Sequence, residues 1–369
     1  MRRNLLGSAV AVASAALLVG GSALAQSPSA AAPGSSPLKI GVVTDVGTLD
    51  DKNFNEFSWN GAQQGAQLIG AAAPDAIVTT ASADYAKNIQ TFVDQGYDII
   101  VTIGFALGND TRAAAEANPD IHFIGVDQFQ CYPADAEDTT CSGTPLPNFQ
   151  SIVFNEAQPG YLAGIVAASL SKTGTIAALG GSSTIPPVVN YLRGYQNGAL
   201  SVNPNINVNL QYVSDDLSKA FNDPAGGTAF AEQFMQQVPD ADIIFAAAGK
   251  TGNGMLQAIC SAKAGGKDVW GIGVDVDQYL STPDADPCLL TSAEKKLSNA
   301  VSQLIVAVAD GTDQGGNAFF SASNDGIGLA PFYDQAALIT PEIQSAIDTA
   351  TAGLADGSVD PCAPNACQP

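Results

Sequence analysis

Carboxylate and amide side chains are concentrated in one short stretch, KIGVVTDVGTLDDKNFNEFSWNG (39–61). An apolar run at 40–43 precedes Asp45, and a helical pattern follows Asn55, so we predict a strand, a polar loop and a helix. Oxygens at this spacing suit either a divalent metal ion or the hydroxyl donors of a ligand, and Phe54 adds an aromatic face. Ligands bind to such loops at the carboxyl ends of parallel strands, where the next helix offers free N–H groups.

The metal-binding interpretation fails on spacing. A nucleoside hydrolase arranges its calcium ligands as D-x-D-P-G-x-D-D. Here Val43 stands where the first aspartate is needed, Val46 replaces the proline, and one extra residue separates Gly47 from Asp50. A ligand-binding loop and a loop whose carboxylates cap a helix and face water both remain open.

A second set of carboxylates follows a repeated GVD motif, at 125–127 and again at 273–275. Asp127 and Asp275 each stand at the predicted end of a strand, where a carboxylate can accept two hydrogen bonds from a vicinal diol. One copy in each half favours a binding role over a simple turn. Lys295 is predicted early in a helix, where the helix dipole gains nothing from a cation, which favours a ligand or aspartate partner.

The segment AAAGKTGNG (246–254) resembles a phosphate-binding loop only in part, because Ile244 stands where that motif needs glycine. Its Gly249 follows a predicted strand and precedes a helix predicted from near Met255, so its backbone can approach a ligand or cap the helix. The single histidine, His122, is predicted in a strand and in the core. We can therefore assemble no Ser/His/Asp nucleophile set, and the sequence gives no support for an enzyme.

The elements that position these residues repeat a βαβ rhythm, which predicts parallel sheets. Predicted strands of the first lobe lie at 40–44, 76–80, 98–104 and 121–127; an extended run at 151–154, a helix at 160–170, strands at 175–181, 208–213, 242–249 and 269–275, and a helix at 293–309 follow. Two similar lobes in one chain predict a hinged pair with a site between them.

Composition indicates an exported protein. The 369 residues are long enough for two domains. Residues 1–25 have the positive start, apolar centre and Ala-Leu-Ala end of a secretory signal peptide, and 26–37 form a Pro- and Ser-rich spacer predicted to be disordered. We predict no transmembrane helix in the mature chain, since no other run approaches 18 apolar residues.

Cysteine usage and charge agree with export. Six cysteines suggest the pairs 131–141, 260–288 and 362–367, although six allow 15 connectivities, and no C-x-x-C pair supports zinc. The formal charge of −22, or −24 without the two arginines of the leader, disfavours nucleic acid and anionic lipid as partners.

Six motifs now support a family resemblance. TDVGTLDDKNFN, GYLAGIVAA, a GG followed by IPPVV and GYQNGA, AAAGKTGNG, GVDVDQ and TSAEKKLSNAV occur in this order over about 38–335. The chain thereby resembles the basic membrane protein family of ABC-transporter substrate-binding proteins, the bacterial purine nucleoside receptors. The resemblance implies a type I periplasmic-binding-protein fold, in which two Rossmann-like lobes joined by three crossovers close on a small-molecule ligand, with an ABC permease as partner and no cofactor.

The resemblance also implies roles for individual residues. Asp45, Asn55 and Asp127 match polar ligand contacts, and Phe54 matches an aromatic that stacks on the base. Gly249 and Asp275 match the loops that hold the ribose, with the basic Lys295 beside them. The second aromatic is either Phe221 or Tyr191, because YVSDDLSKAFND replaces the family's Y-V-G-S-F run.

The expected organisation is a first lobe at 38–150 plus about 280–325, a second lobe at 151–279 plus about 326–360, and a tail at 361–369 held by its disulfide. Relatives commonly carry a lipid-anchoring cysteine at the cleavage site. The first cysteine here is Cys131, so we expect a form without that anchor, in the periplasm or at the outer face of the cytoplasmic membrane. The Cys-bracketed insertion at 131–141 is expected at the rim of the cleft. Riboflavin or another heterocycle on the same fold, and a secreted nucleoside hydrolase, are the alternatives.

Overall fold

Two α/β sheets, each of six strands, form the framework in the computed structural model, which describes residues 38–130 and 144–368. The first sheet contains β1 (Ile40–Val46), β2 (Asp75–Thr79), β3 (Ile99–Ile103), β4 (His122–Val126), β5 (Phe149–Phe154) and β11 (Gly316–Phe320) in the order β11-β5-β4-β3-β1-β2. The second contains β6 (Thr175–Gly180), β7 (Asn207–Tyr212), β8 (Ile243–Ala247), β9 (Trp270–Asp275), β10 (Leu289–Lys295) and β12 (Ile327–Leu329) in the order β12-β10-β9-β8-β6-β7. All neighbouring strands are parallel except β10 and β12.

Helices cover both faces of each sheet, as parallel strands buried on two sides require. They are α1 (Phe54–Leu68), α2 (Tyr85–Asp94), α3 (Gly108–Ala117), α4 (Ala157–Leu170), α5 (Pro186–Val202), α6 (Leu217–Phe221), α7 (Pro224–Gln237), α8 (Gly249–Ala264), α9 (Gln278–Ser281), α10 (Leu297–Ala309) and α11 (Pro341–Asp356). We call the first sheet with its helices the first lobe and the second sheet with its helices the second lobe. Helix α10 packs on α1 of the first lobe, where Ser298 Oγ donates to the Phe57 carbonyl at 2.7 Å.

The chain crosses between the sheets three times: after β5, after β10 and after β11. These crossings differ from the boundaries expected at 151 and 280, because β5 pairs with β4 and β10 pairs with β9. Residues 289–295 were expected to lead into a helix starting at Ala293. They form a strand instead, and α10 begins only at Leu297.

His122 is not a core residue, contrary to expectation. It is the first residue of β4, its side chain is 38% exposed, and its Nδ1 lies 2.7 Å from Asp313 Oδ2. A polar ring at the strand's amino end can reach the surface while the rest of the strand is buried. His122 therefore lies at the opposite end of β4 from the carboxyl end, where we expect ligands to bind.

The predicted disulfides Cys260–Cys288 and Cys362–Cys367 are confirmed. The third predicted pair, between Cys131 and Cys141, lies outside the described residues, as do the leader, the spacer and the whole insertion at 131–141. No helix in the described part of the chain is both long and apolar enough to cross a membrane.

Helices α4 and α5 lie unusually close together because glycines face the partner backbone. A methyl group built on Gly198 would overlap the carbonyl oxygen of Tyr161, and one on Gly164 would overlap that of Tyr195. Neither neighbour is a flexible side-chain end, so relief requires the helices to move apart.

Gly198→Ala is therefore expected to lower the free energy of unfolding by about 1–3 kcal/mol through overpacking, despite alanine's better helix propensity. Urea unfolding of the ligand-free protein measures the loss. Gly328→Ala is the matched control, since nothing lies within 4 Å of its added methyl group. Equal stabilities for the two variants would show that α4 and α5 separate at no cost.

Candidate functional site

Residues at the carboxyl ends of strands from both lobes border one cleft. The residues bordering it include all eight predicted from the sequence, namely Asp45, Phe54, Asn55, Asp127, Phe221, Gly249, Asp275 and Lys295. Tyr191, the alternative to Phe221, also borders it. Further lining residues, mostly apolar, were not assigned ligand contacts from the sequence, although three of them lie in the IPPVV motif at 185–189; they are Tyr85, Gly104, Phe105, Ile185, Pro187, Val188 and Leu217.

The aspartates at the end of β1 and in the Asp-rich loop after it have both of the roles considered for this stretch, helix capping and ligand binding. Asp51 caps α1: its carboxylate accepts from the backbone N–H groups of Asn53, Asn55 and Glu56 at 2.8, 2.9 and 3.0 Å. Asp45 instead faces the cleft, where its Oδ1 accepts from Asn55 Nδ2 at 2.9 Å. Asp50 is exposed. Asp51 thus stabilises the amino end of α1, and Asp45 is available to a ligand.

Burial raises the pKa of Asp45 to about 7, against the opposing hydrogen bond from Asn55, and the charges of Asp51 and Asp127 add to the rise. A carboxyl group with this pKa can either donate or accept near neutral pH. It is thus a versatile hydrogen-bonding group in the cleft.

The two GVD motifs occupy equivalent places in the two lobes. Asp127 follows β4 and Asp275 ends β9, and both adopt left-handed backbone conformations, with φ of 58° and 64°. A glutamine braces each turn: Gln128 Nε2 donates to the Gly104 carbonyl at 3.1 Å, and Gln278 Oε1 accepts from Val274 N at 2.8 Å. The braced turns aim both carboxylates into the cleft.

Lys295 is the last residue of β10 rather than part of a helix, which corrects the expectation. Its side chain is 2% exposed. Its Nζ lies 2.5 Å from Asp127 Oδ2, 3.1 Å from Glu156 Oε1 and 3.9 Å from Asp275 Oδ1. The expected aspartate partner is therefore present, together with a glutamate that the sequence did not reveal.

The charge balance of this cluster is unequal, with three carboxylates around one ammonium. Burial opposes the charged form of Lys295, but the three carboxylates outweigh it and raise its pKa. Burial also raises the pKa of Glu156 to about 7 and that of Asp275 to about 6, in each case against the attraction of Lys295. The cluster holds excess negative charge that hydrogen-bond donors of a ligand would stabilise.

Two aromatic side chains border the cleft from opposite lobes, Phe54 at the start of α1 and Phe221 at the end of α6. The Tyr191 ring packs edge-on against Phe245, and its hydroxyl donates to Asp275 Oδ1 at 3.3 Å and to the Ala293 carbonyl at 3.2 Å. Tyr191 thus supports the Asp275 carboxylate.

Gly249 begins α8 with a φ of 51°, a conformation that favours glycine. The helix therefore starts six residues earlier than the expected start near Met255. Its amino end, rather than a separate loop, borders the cleft. Among the described residues, no group of three or more His, Cys, Asp or Glu side chains is arranged to hold a metal ion.

Comparison with known proteins identifies the family. Residues 38–348 match the model of the family described as ABC transporter substrate-binding protein PnrA-like (Bmp). The chain belongs to this family.

Curated relatives of this substrate-binding protein cover most of its length. It is 30% identical over 376 aligned residues to the ABC transporter nucleoside-binding protein BmpA of Lactococcus lactis subsp. cremoris, covering 97% of this chain and 98% of the relative. It is 31% identical over 271 residues to basic membrane protein A of Borreliella burgdorferi, covering 73% and 71%.

Solved structures support the type I fold of this substrate-binding protein. An ABC transporter solute-binding protein from Aeropyrum pernix K1 aligns with a TM-score of 0.74 at 22% identity, covering 88% of this chain and 93% of that one. Another from Conexibacter woesei aligns with a TM-score of 0.65 at 22% identity, covering 88% and 98%. The predicted fold class and family are thus confirmed.

The lobes of this substrate-binding protein are in contact at the mouth of the cleft. Lys250 Nζ donates to Thr48 Oγ1 at 3.2 Å. Asn253 Nδ2 donates to the Asp51 carbonyl and Ser281 Oγ to the Lys52 carbonyl, both at 2.9 Å. We call these three hydrogen bonds the mouth contacts, and they define a closed arrangement of the lobes.

Proposed function

We propose that this protein binds a purine nucleoside between its lobes and delivers it to an ABC permease. The main support for this proposal is that one cleft combines carboxylate acceptors from both lobes with two aromatic rings. A nucleoside presents the matching groups, a flat base with polar edges and a ribose with vicinal hydroxyls. The nucleoside-binding relative with nearly full-length similarity supports the same ligand class.

Unused acceptors in the cleft favour a ligand rich in donors. Asp127 Oδ1 and Asn55 Oδ1 are buried and have no hydrogen-bond partner within the described residues. Such orphaned groups cost about 1–3 kcal/mol each unless a bound molecule donates to them. Hydroxyl and N–H groups of a nucleoside supply these donors, whereas a phosphate would meet the excess negative charge around Lys295.

The aromatic rings provide the surface for the base. Phe54 and Phe221 approach from different lobes, so closure brings them to the same ligand. Tyr191 is less suited to stacking because its hydroxyl is engaged by Asp275 and its ring by Phe245. We therefore assign base contacts to the two phenylalanines and ribose contacts to Asp127, Asp275 and the amino end of α8 at Gly249.

The mechanism is hinge closure. A nucleoside binds one lobe, completes its contacts with the other, and shifts the equilibrium by its preference for the closed form. A receptor of this kind returns its ligand chemically unchanged. The family of extracytoplasmic substrate-binding proteins and the predicted leader at 1–25 together support action outside the cytoplasm.

A thermal-shift panel on the emptied protein tests the proposal, using inosine, guanosine, adenosine, hypoxanthine, ribose and riboflavin. A hundredfold excess of ligand over Kd adds about 2.7 kcal/mol of stability, so a true ligand raises Tm clearly. We expect shifts with purine nucleosides only. A shift with riboflavin alone would show that the ligand is riboflavin and not a purine nucleoside. Release of free base from inosine would identify a hydrolase.

Phe54→Ala is expected to weaken nucleoside binding by about 1–3 kcal/mol, because the base loses its stacking partner in the first lobe. Isothermal titration calorimetry measures the change. Phe57→Ala, one turn further along α1 and outside the cleft lining, is the control for a general effect on the helix. Wild-type affinity in the Phe54 variant would place that ring in the core instead of the site.

A further inference from the structure

Glu156 lies at the first crossing between the lobes, between the end of β5 and the start of α4. It is 4% exposed, yet it does not border the cleft. A buried carboxylate needs a strong compensating partner. Its partner is the Lys295 ammonium, at 3.1 Å.

This ion pair joins two crossings. Lys295 ends β10, and the chain leaves the second lobe directly after it. Two residues beyond Glu156, Gln158 ties the first crossing to the third, since its Oε1 accepts from Ala322 N at 2.8 Å. Residues at such crossings absorb the torsional change when lobes open and close. Glu156 therefore lies in a segment whose backbone torsions are expected to change when the lobes open and close.

The same ammonium also bridges the lobes. It contacts Asp127 of the first lobe at 2.5 Å and approaches Asp275 of the second at 3.9 Å. A lysine side chain has a flexible four-carbon stem, so its position between two carboxylates depends on a third anchor. Glu156 is that anchor, because it reaches Nζ from the crossing rather than from either cleft wall.

We propose that Glu156 is a positioning residue for closure of the cleft: without touching the ligand, it holds Lys295 Nζ where the two lobes meet. On this proposal, the distance over which the side-chain oxygen of Glu156 can contact Lys295 Nζ matters more for closure than its negative charge does. The burial that raises its pKa to about 7 agrees with this, since the side chain is readily neutralised near physiological pH.

Two substitutions separate reach from charge. Glu156→Gln keeps an acceptor oxygen at the same distance and removes the charge. Glu156→Asp keeps the charge and withdraws the oxygen by one methylene. Glu294→Asp and Glu294→Gln are matched controls, because Glu294 pairs with Lys296 at 2.6 Å and does not border the cleft.

Two measurements follow on folded variants, the Kd for inosine by calorimetry and the radius of gyration of the ligand-free protein by X-ray scattering. Glu156→Asp is expected to raise Kd by about tenfold or more and to increase the radius, whereas Glu156→Gln stays within about threefold of wild type with an unchanged radius. Both Glu294 variants are expected to behave like wild type.

The reverse order, or wild-type behaviour of Glu156→Asp in both measurements, would overturn the proposal. A tenfold loss in Glu156→Gln would overturn it even if Glu156→Asp did not fold. The affinity measurement rests on the proposed nucleoside ligand, but the scattering measurement does not. If wild-type protein failed to bind inosine, the nucleoside assignment would fall while scattering still decided the role of Glu156.

Discussion

Replacing Lys295 by methionine is expected to lower the free energy of unfolding by about 3–5 kcal/mol, the usual cost of removing one partner from a buried ion pair. Methionine fills similar space, so packing changes little. The loss arises because Asp127, Glu156 and Asp275 remain buried without a counter-charge. Urea unfolding of the ligand-free protein near neutral pH measures it.

The neighbouring residue provides the control for Lys295→Met. Lys296 carries the same charge, pairs with Glu294, and has a side chain that is 37% exposed. Lys296→Met is expected to cost less than Lys295→Met, since it removes a partly exposed ammonium from one buried carboxylate, Glu294, instead of a buried ammonium from three. Similar losses in the two variants would mean that the Lys295 cluster does not stabilise the folded state more than the single pair of Lys296 and Glu294 does.

Raising the pH from about 5.5 to about 8 is expected to lower the free energy of unfolding of the ligand-free protein by about 2–4 kcal/mol. The native pKa values of Asp45 and Glu156 are about 7 and that of Asp275 about 6, all raised mainly by burial. The native state therefore holds protons that the unfolded state has released. These groups favour folding at mildly acidic pH, and their contribution is lost as the pH rises through 6 and 7.

Urea unfolding at several pH values tests this dependence. Carboxylates whose pKa is lowered, such as Asp268, change protonation at more acidic pH and do not offset the effect in this window. Asp45→Asn removes one titrating group and is expected to flatten the profile. A stability that increases from pH 5.5 to pH 8 would show that the cleft carboxylates are ionised at little cost.

The sequence was sufficient to predict those residues of the cleft that stand at strand ends. Asp45, Asp127, Gly249 and Asp275 each follow a recognisable apolar run, and parallel strands bring their carboxyl ends to one edge. Family motifs added Phe54 and Asn55. These residues share one cleft because local pattern and topology agree.

The sequence was insufficient to predict structure that depends on contacts between residues far apart in the chain. Residues 289–295 contain Ser, Ala, Glu and Lys, whose helix propensity is adequate, and only pairing with β9 and β12 makes them a strand. Glu156 gave no signal because its meaning depends on Lys295, in another crossing. Asp50 and Asp51 look equivalent in the chain, yet only Asp51 reaches the amino end of α1.

The mouth contacts have a consequence for the speed of capture. Each is a hydrogen bond worth about 0.5–1.5 kcal/mol net, and three together can hold the lobes shut for most of the time. A ligand would then find the cleft open only for short times, so its association rate would scale with the fraction of time that the lobes spend open. The same three bonds would lengthen the ligand's residence time, and a permease that separated Asn253 and Ser281 from the Asp-rich loop would trigger release.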